Sequence, residues 1–304
     1  MINFIKNIFK TKKLFIDVVR EHLDKEEADN NLCDDTKIKH TYQLNNIKAF
    51  LADNNMETVT VNQIKYKHVE QLRTWLHTEI QCSAGHSNRH IKLCKAALDF
   101  AVHSEYIDHN TLSGIKSKRV KAKEPVSLTQ KEFEAISEFK SKYKQQNIVL
   151  DLFLFQCLTG LSYMDLWLFK IESEQLDPGL NIDLVTCENG RGKTKKRYWA
   201  EFMIEAKNIY NKYDGSLPWV CNQSYNKILK KICKQVNIEK KVSTHTGRKT
   251  FATLKRNKGY SVPAISLMIG DDESTTVKHY ITRNKELLVQ EILDRRLKQN
   301  LIFT

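Results

Sequence analysis

The chain holds little that would stiffen or cross-link it. Among its 304 residues are only four prolines and ten glycines. The seven cysteines (Cys33, Cys82, Cys94, Cys157, Cys187, Cys221 and Cys233) are odd in number, scattered, and form no C-x-x-C pair. That spacing fits reduced thiols in a cytosolic compartment better than a disulfide framework or a zinc ribbon. A long uninterrupted apolar run is missing too. Lysines break MINFIKNIFKTKKLF too often for a signal-peptide core. The most apolar stretch, residues 148–169, contains Asp151 and Asp165 and reads as a buried helix, not a membrane span. Acidic residues are also in deficit, 36 against 49 Lys and Arg, for a formal charge of +13. Such an excess favours a polyanionic partner, nucleic acid ahead of an acidic membrane.

Helical periodicity is what the first third does have. Residues 14–23, 42–51, 67–79 and 87–103 each predict an amphipathic helix. In the last, Ile91, Leu93, Cys94, Ala97, Leu98 and Ala101 form an apolar stripe, with Asn88, Arg89, Lys92 and Lys95 on the opposite face. His86, His90 and Cys94 stand at i, i+4 and i+8, but no fourth ligand follows at a familiar spacing. They are read as a DNA-facing edge plus core, not as a metal site. The basic run IKSKRVKAKEP then marks an exposed linker carrying Lys116, Lys118, Arg119, Lys121 and Lys123. It divides the chain into domains 1–122 and 123–304. In the second, Ser127 or Thr129 caps a helix, an apolar helix or helix pair runs to about residue 170, and LDPGL is a turn. NIDLVTC and KKRYWAEF read as short strands, and helices return from Phe202 onward. The fold class is therefore mainly α, with one small antiparallel β-sheet in the second domain.

The chemistry gathers in that second domain. In STHTGRKTFATL, residues 243–254, His245 and Arg248 lie three positions apart, on one side of a helix start. Two donors aimed at one spot imply an anion, the alternative being a solvated helix end. Arg191 and Lys193 stand in GRGKT, on a glycine-bearing strand connection, and Tyr280 closes DDESTTVKHY. Cations with a tyrosine suit attack of a phenol oxygen on a phosphodiester. Arginine and histidine would stabilise charge gathering on the non-bridging oxygens, and a lysine would protonate the leaving oxygen.

These motifs together resemble the tyrosine recombinases of the phage-integrase family. HTGRK is similar to the family's H-x-x-R box, TGLSYMDL (residues 159–166) to its first box, and RGKT to its hairpin lysine motif. Gly270 and Tyr280 match the glycine and nucleophile of the last box, and SNRHIKLCKAALDFAVHSEYIDHN resembles the core-DNA-binding domain. The resemblance extends from about Leu14 over nearly the whole chain. It implies a helical core-DNA-binding domain followed by a catalytic domain, and strand cleavage through a 3′-phosphotyrosine. By position, Tyr280 would be the nucleophile, Arg248 and His245 would bind the scissile phosphate, and Lys193 would be the general acid. Asp165 would be a supporting carboxylate. Asn88, Arg89, Lys92, Lys95, Lys118, Arg119 and Lys121 would face DNA.

The resemblance further implies no metal and no cofactor, double-stranded DNA as partner, a homotetramer on DNA, accessory DNA-bending factors and a place at the bacterial nucleoid in the cytoplasm. Residues after Tyr280, with Leu287, Leu288, Ile292 and Leu293 at helical spacing, would dock on a neighbouring protomer. Two positions depart from the pattern. Ser162 replaces the first-box arginine and Asp271 the last-box histidine. A serine cannot supply the lost charge, so Arg191 is expected to do so. A carboxylate at 271 should repel a phosphate unless protonated or turned away. The rival readings are a DNA-binding protein of the same fold without cleavage, and a topoisomerase-like nicking and resealing enzyme.

Overall fold

The computed structural model describes residues 13–280, apart from residue 31 and residues 121–123, 178–179, 188–189 and 192–194. The chain divides into two compact units, Met1–Ala122 and Lys123–Thr304.

Among the described residues, four α-helices build the first unit: α1 (Phe15–Asn30), α2 (Asp34–Asp53), α3 (Tyr66–Thr78) and α4 (Ala84–His103). Helix α4 begins where Ser83 Oγ accepts the His86 N–H at 3.4 Å, satisfying one of the unpaired donors of the first turn. Its apolar stripe is buried from Ile91 to Ala101 and packs against α1 and α3, whose Val18, Val19, Leu72 and Leu76 share the same core. Asn88 departs from its expected outer face and is buried, while Arg89 and Lys92 are exposed. The reason is Arg73, buried on α3, whose Nη1 donates to Asn88 Oδ1 at 3.0 Å and widens the covered face. His90 is bound inside the unit, with Nε2 3.1 Å from Asn46 Nδ2 and Nδ1 3.0 Å from the His86 carbonyl. Burial pushes the Cys94 thiol up to about 12.

The second unit is organised around α6 (Lys144–Thr159), which is apolar on almost every side and so must be enclosed. Before it, α5 (Gln130–Glu138) is started by Thr129 and not Ser127: Thr129 and Glu132 form a reciprocal capping box at 3.2 and 2.7 Å. Helix α6 stops at Gly160, whose φ of 72° is the left-handed region, and a Cβ there would lie 2.7 Å from Phe251 Cδ1. The apolar run expected to remain helical to about residue 170 breaks here into a tight turn, Met164–Trp167.

Three antiparallel strands follow in the order β1 (Lys170–Asp177), β2 (Leu180–Thr186), β3 (Trp199–Glu201), with Lys170 opposite Thr186 and Leu184 opposite Glu201. Strand β3 lies within the segment expected and β2 matches its own from one residue earlier; β1 is additional. Its sequence, KIESEQLD, has too little apolar alternation to announce a strand, and it forms by pairing along the edge of β2. The turn expected at LDPGL falls on residues 178–179, outside the described residues. Helices α7 (Ile204–Lys212), α8 (Asn222–Gln235), α9 (Thr244–Asn257), α10 (Val262–Ile269) and α11 (Glu273–His279) complete the unit, with α7, α8 and α9 packed on α6. The tail positions Leu287, Leu288, Ile292 and Leu293 lie outside the described residues. Among the described residues no helix is long and apolar enough to cross a membrane.

Candidate active site

Helix α9 carries the H-x-x-R spacing, and its start is fixed from two sides. Ser243 N–H donates to Thr246 Oγ1 at 3.0 Å, and Thr244 N–H donates to Asn226 Oδ1 on α8, also at 3.0 Å. Gly247 allows α9 to cross close to α6, since a Cβ there would sit 2.9 Å from Gln156 Cβ. The crossing sinks Arg248 completely, at 0 % exposure. Its Nη1 donates to the Gly160 carbonyl at 2.6 Å and its Nη2 to the Ile269 carbonyl. Both acceptors terminate helices, α6 and α10, where the partial negative charge of aligned peptide dipoles collects. The buried cation is thus held by partial charges at its back.

The end of α10 also receives a second arginine. Gly270, at φ 56°, closes the helix in a left-handed turn, and Asp271 N–H donates back to Ser266 O at 3.0 Å. Arg191 Nη1 reaches this turn, donating to Gly270 O at 3.2 Å and to Asp271 Oδ2 at 2.6 Å. The same carboxylate oxygen lies 3.6 Å from Arg248 Nη2. Glycine at 270 is required twice over, because a Cβ would also stand 3.0 Å from Arg191 Cδ. The backbone of Arg191 forms the base of the β2–β3 connection, where its N–H donates to Lys196 O at 2.9 Å and its carbonyl accepts from Lys195 at 2.8 Å. Lys193 lies outside the described residues.

Tyr280 follows α11, which is joined to α10 through the Ser266 and Thr276 hydroxyls at 2.9 Å. The Tyr280 N–H donates to Thr276 O at 3.0 Å, and the ring is 5 % exposed. Arg248 Cζ lies 5.4 Å from the ring centroid, and the His245 ring meets it edge-on at 5.7 Å and 64°. The His245 residue is exposed, yet partial removal of its ring from water and the charges of Lys249, Arg248 and Arg191 push its pKa down to about 4. It is therefore neutral at pH 7. Burial, then the neighbouring Arg191, lowers the Arg248 pKa. The Nε–H groups of both Arg191 and Arg248 are buried and lack a hydrogen-bond partner. Two orphaned cationic donors in one pocket are a cost that an entering anion would relieve.

Ser162, where a first-box arginine was sought, donates its hydroxyl to Asp165 Oδ2 at 2.7 Å. Asp165 itself is 1 % exposed. This pair ties the turn after α6.

A model of the phage integrase family matches residues 219–286, and a model of the phage integrase SAM-like domain matches residues 14–120. Together they span more than half of the chain. The chain belongs to the phage integrase family of tyrosine recombinases. A tyrosine recombinase from Pseudothermotoga lettingae is 22 % identical over 261 residues, which are 82 % of this chain and 88 % of that protein. The Tn1549 transposon integrase in complex with circular intermediate DNA has the same fold, with TM-score 0.66 and 16 % identity over 90 % of this chain and 98 % of that one. A lambda integrase tetramer bound to a Holliday junction matches with TM-score 0.61 and 13 % identity, over 83 % of this chain and 74 % of that one.

This recombinase, an enzyme of site-specific recombination, brings His245, Arg248, Arg191, Asp271 and Tyr280 into one pocket of its second unit. In its first unit Arg89, Lys92, Lys118 and Arg119 are exposed. Asn88 and Lys95 are engaged inside the protein. Asn88 Nδ2 donates to Lys118 O at 2.8 Å, its Oδ1 accepts from Lys118 N–H at 3.0 Å, and Lys95 Nζ donates to Ser113 O at 2.7 Å. Lys121 lies outside the described residues. Sequence reasoning missed the carbonyls of Gly160 and Ile269 and the partnership of Asp271. The glycines at 160 and 270 were the available signal, each marking a helix end that a cation could approach.

Proposed function

We propose that this recombinase cuts one strand of double-stranded DNA by attack of the Tyr280 phenol oxygen on a backbone phosphorus. The new bond is the phosphotyrosine, the broken bond is that from phosphorus to the 5′ oxygen, and the cut strand keeps its 3′ end on the enzyme. Attack by a freed 5′ hydroxyl on the phosphotyrosine reverses the step and reseals a strand, so no outside energy is needed. The observation that carries the reading is the placement of Tyr280 5.4 Å from Arg248 and 5.7 Å from His245 within one subunit. Arg248 and Arg191 offset the charge that develops on the non-bridging oxygens, Arg191 standing in for the guanidinium absent at Ser162. Neutral His245 adds a hydrogen bond, and Asp165, held by Ser162, supports the fold beneath. Lys193 is assigned the proton for the departing 5′ oxygen through its resemblance to the hairpin lysine. No metal or nucleotide cofactor takes part in this scheme.

Arg89, Lys92, Lys118 and Arg119 are assigned to DNA phosphates, with Asn88 and Lys95 positioning that surface and Lys121 extending it. A homotetramer on paired duplexes, helped by DNA-bending factors, is the working assembly, on the model of the lambda integrase tetramer bound to a Holliday junction. The setting is the nucleoid in the bacterial cytoplasm, and the substrate is a mobile element such as the Tn1549 transposon represents for its own integrase. A duplex selected by the chain from a random-sequence library, then synthesised with a nick beside its protected centre, tests the chemistry. Wild type should leave an SDS-stable protein–DNA adduct and Tyr280→Phe none. Identical behaviour of the two would reject the reading.

A further inference from the structure

Among the described residues that contact the two guanidiniums, Asp271 carries a charge that would oppose an entering anion. Its Oδ2 sits between two guanidinium groups, 2.6 Å from Arg191 Nη1 and 3.6 Å from Arg248 Nη2. The two cations do not have equal support. Arg248 is locked on a helix by two carbonyls at helix ends. Arg191 extends from a strand connection, and among the described residues Gly270 O and Asp271 hold its guanidinium. The Gly270 contact is the longer, at 3.2 Å. Placing a second guanidinium beside Arg248 is opposed by like charge, and Arg191 lowers the Arg248 pKa accordingly. A charged acceptor between them offsets that repulsion and fixes where the Arg191 fork stands. A histidine at this position could offer only one neutral acceptor. Asp272 forms a separate, exposed contact outside the pocket, bonding Lys196 Nζ at 2.5 Å.

We propose that Asp271 is a positioning residue for cleavage, recruiting Arg191 to the phosphate site and keeping it there against the charge of Arg248. The inference rests on the cleavage reading above. It also accounts for two departures from the family pattern as one linked change: with arginine lost at 162, the replacement must come from the hairpin, and the hairpin arginine needs a carboxylate to hold it.

The test is the rate of adduct formation on the nicked, library-selected duplex, at saturating enzyme, alongside affinity for the same duplex uncut. Arg191→Ala should slow the reaction by about 10²–10³-fold, the range for removing one transition-state donor. Asp271→Ala should slow it by about 10–100-fold, as for residues that orient a ligand one step away. The double variant should be no slower than Arg191→Ala alone. Asp271→Asn, which keeps an acceptor oxygen, should recover part of the loss. Asp272→Ala, which removes only the exposed contact, should stay close to wild type. Duplex affinity should change little in all of them, which separates lost positioning from lost folding. An Asp271→Ala enzyme as fast as wild type, or losses at 191 and 271 that multiply, would overturn the proposal while leaving the cleavage reading intact. A wild-type chain that forms no adduct on its selected duplex would overturn both.

Discussion

Both units of this recombinase bury arginine, and Arg73 in the first and Arg248 in the second are used in opposite ways. Arg73, 5 % exposed in the first unit, meets the Asn88 side chain at 3.0 Å and the Glu70 carboxylate at 3.3 Å, one turn away on its own helix. Its charge is answered locally. Arg248 in the second unit has carbonyls behind it, and the carboxylate it pairs with among the described residues, Asp271, is shared with Arg191. Within that pairing two guanidiniums share one carboxylate, an excess equal to the charge of a single phosphodiester. A buried arginine marks an anion site only when its counter-charge falls short.

The largest effects should separate these two arginines. Arg248→Ala leaves the Gly160 and Ile269 carbonyls buried without a donor, at about 1–3 kcal/mol each, and should lower cleavage by at least about 10²-fold. Arg73→Ala should cost about 1.5–3 kcal/mol and weaken DNA binding through Asn88 and Lys118, with little change in single-turnover cleavage once the duplex is bound. Urea unfolding and adduct kinetics measure both. A slow chemical step in the Arg73 variant would contradict the division of labour between the units.

A smaller change tests the shared end of α10. Gly270→Ala forces a side chain into φ 56° and to within 3.0 Å of Arg191 Cδ. A loss of about 1–2 kcal/mol is expected from the backbone alone, together with slower cleavage. An alanine variant of wild-type stability and rate would mean that this helix end does not seat Arg191. The smallest effect concerns pH. His245 has a folded pKa of about 4, below the ordinary histidine value of 6.5. The unfolded chain therefore takes up the proton first, and the stability conferred by keeping His245 neutral is lost as pH falls from 6.5 towards 4. His245→Gln should flatten the unfolding midpoint over that interval, and an unchanged slope would show that the imidazole does not titrate as stated.

The helical framework was legible because its signals are local. Ser127 or Thr129 announces the start of α5, and the stripe from Ile91 to Ala101 announces α4. Strand β1 was not, since KIESEQLD becomes a strand only through its pairing with β2. His245, Arg248 and Tyr280 could be picked out by spacing, and the structure sets their side chains together. The role of Asp271 could not be read, because its partner is eighty positions away and repulsion from a phosphate was the only effect its own neighbourhood suggested. Asn88 was misplaced for a related reason: the period of α4 assigns faces, but Arg73 on another helix decides which polar residue is covered.

Helix α10 spans only eight residues, yet its final carbonyls grip both guanidiniums and its Ser266 hydroxyl braces the segment that leads to Tyr280. The two guanidiniums and Tyr280, the proposed attacking group, are consequently mounted on the same short lever. A tilt of that lever cannot misalign one and spare the other, so the reaction is armed or disarmed as a unit.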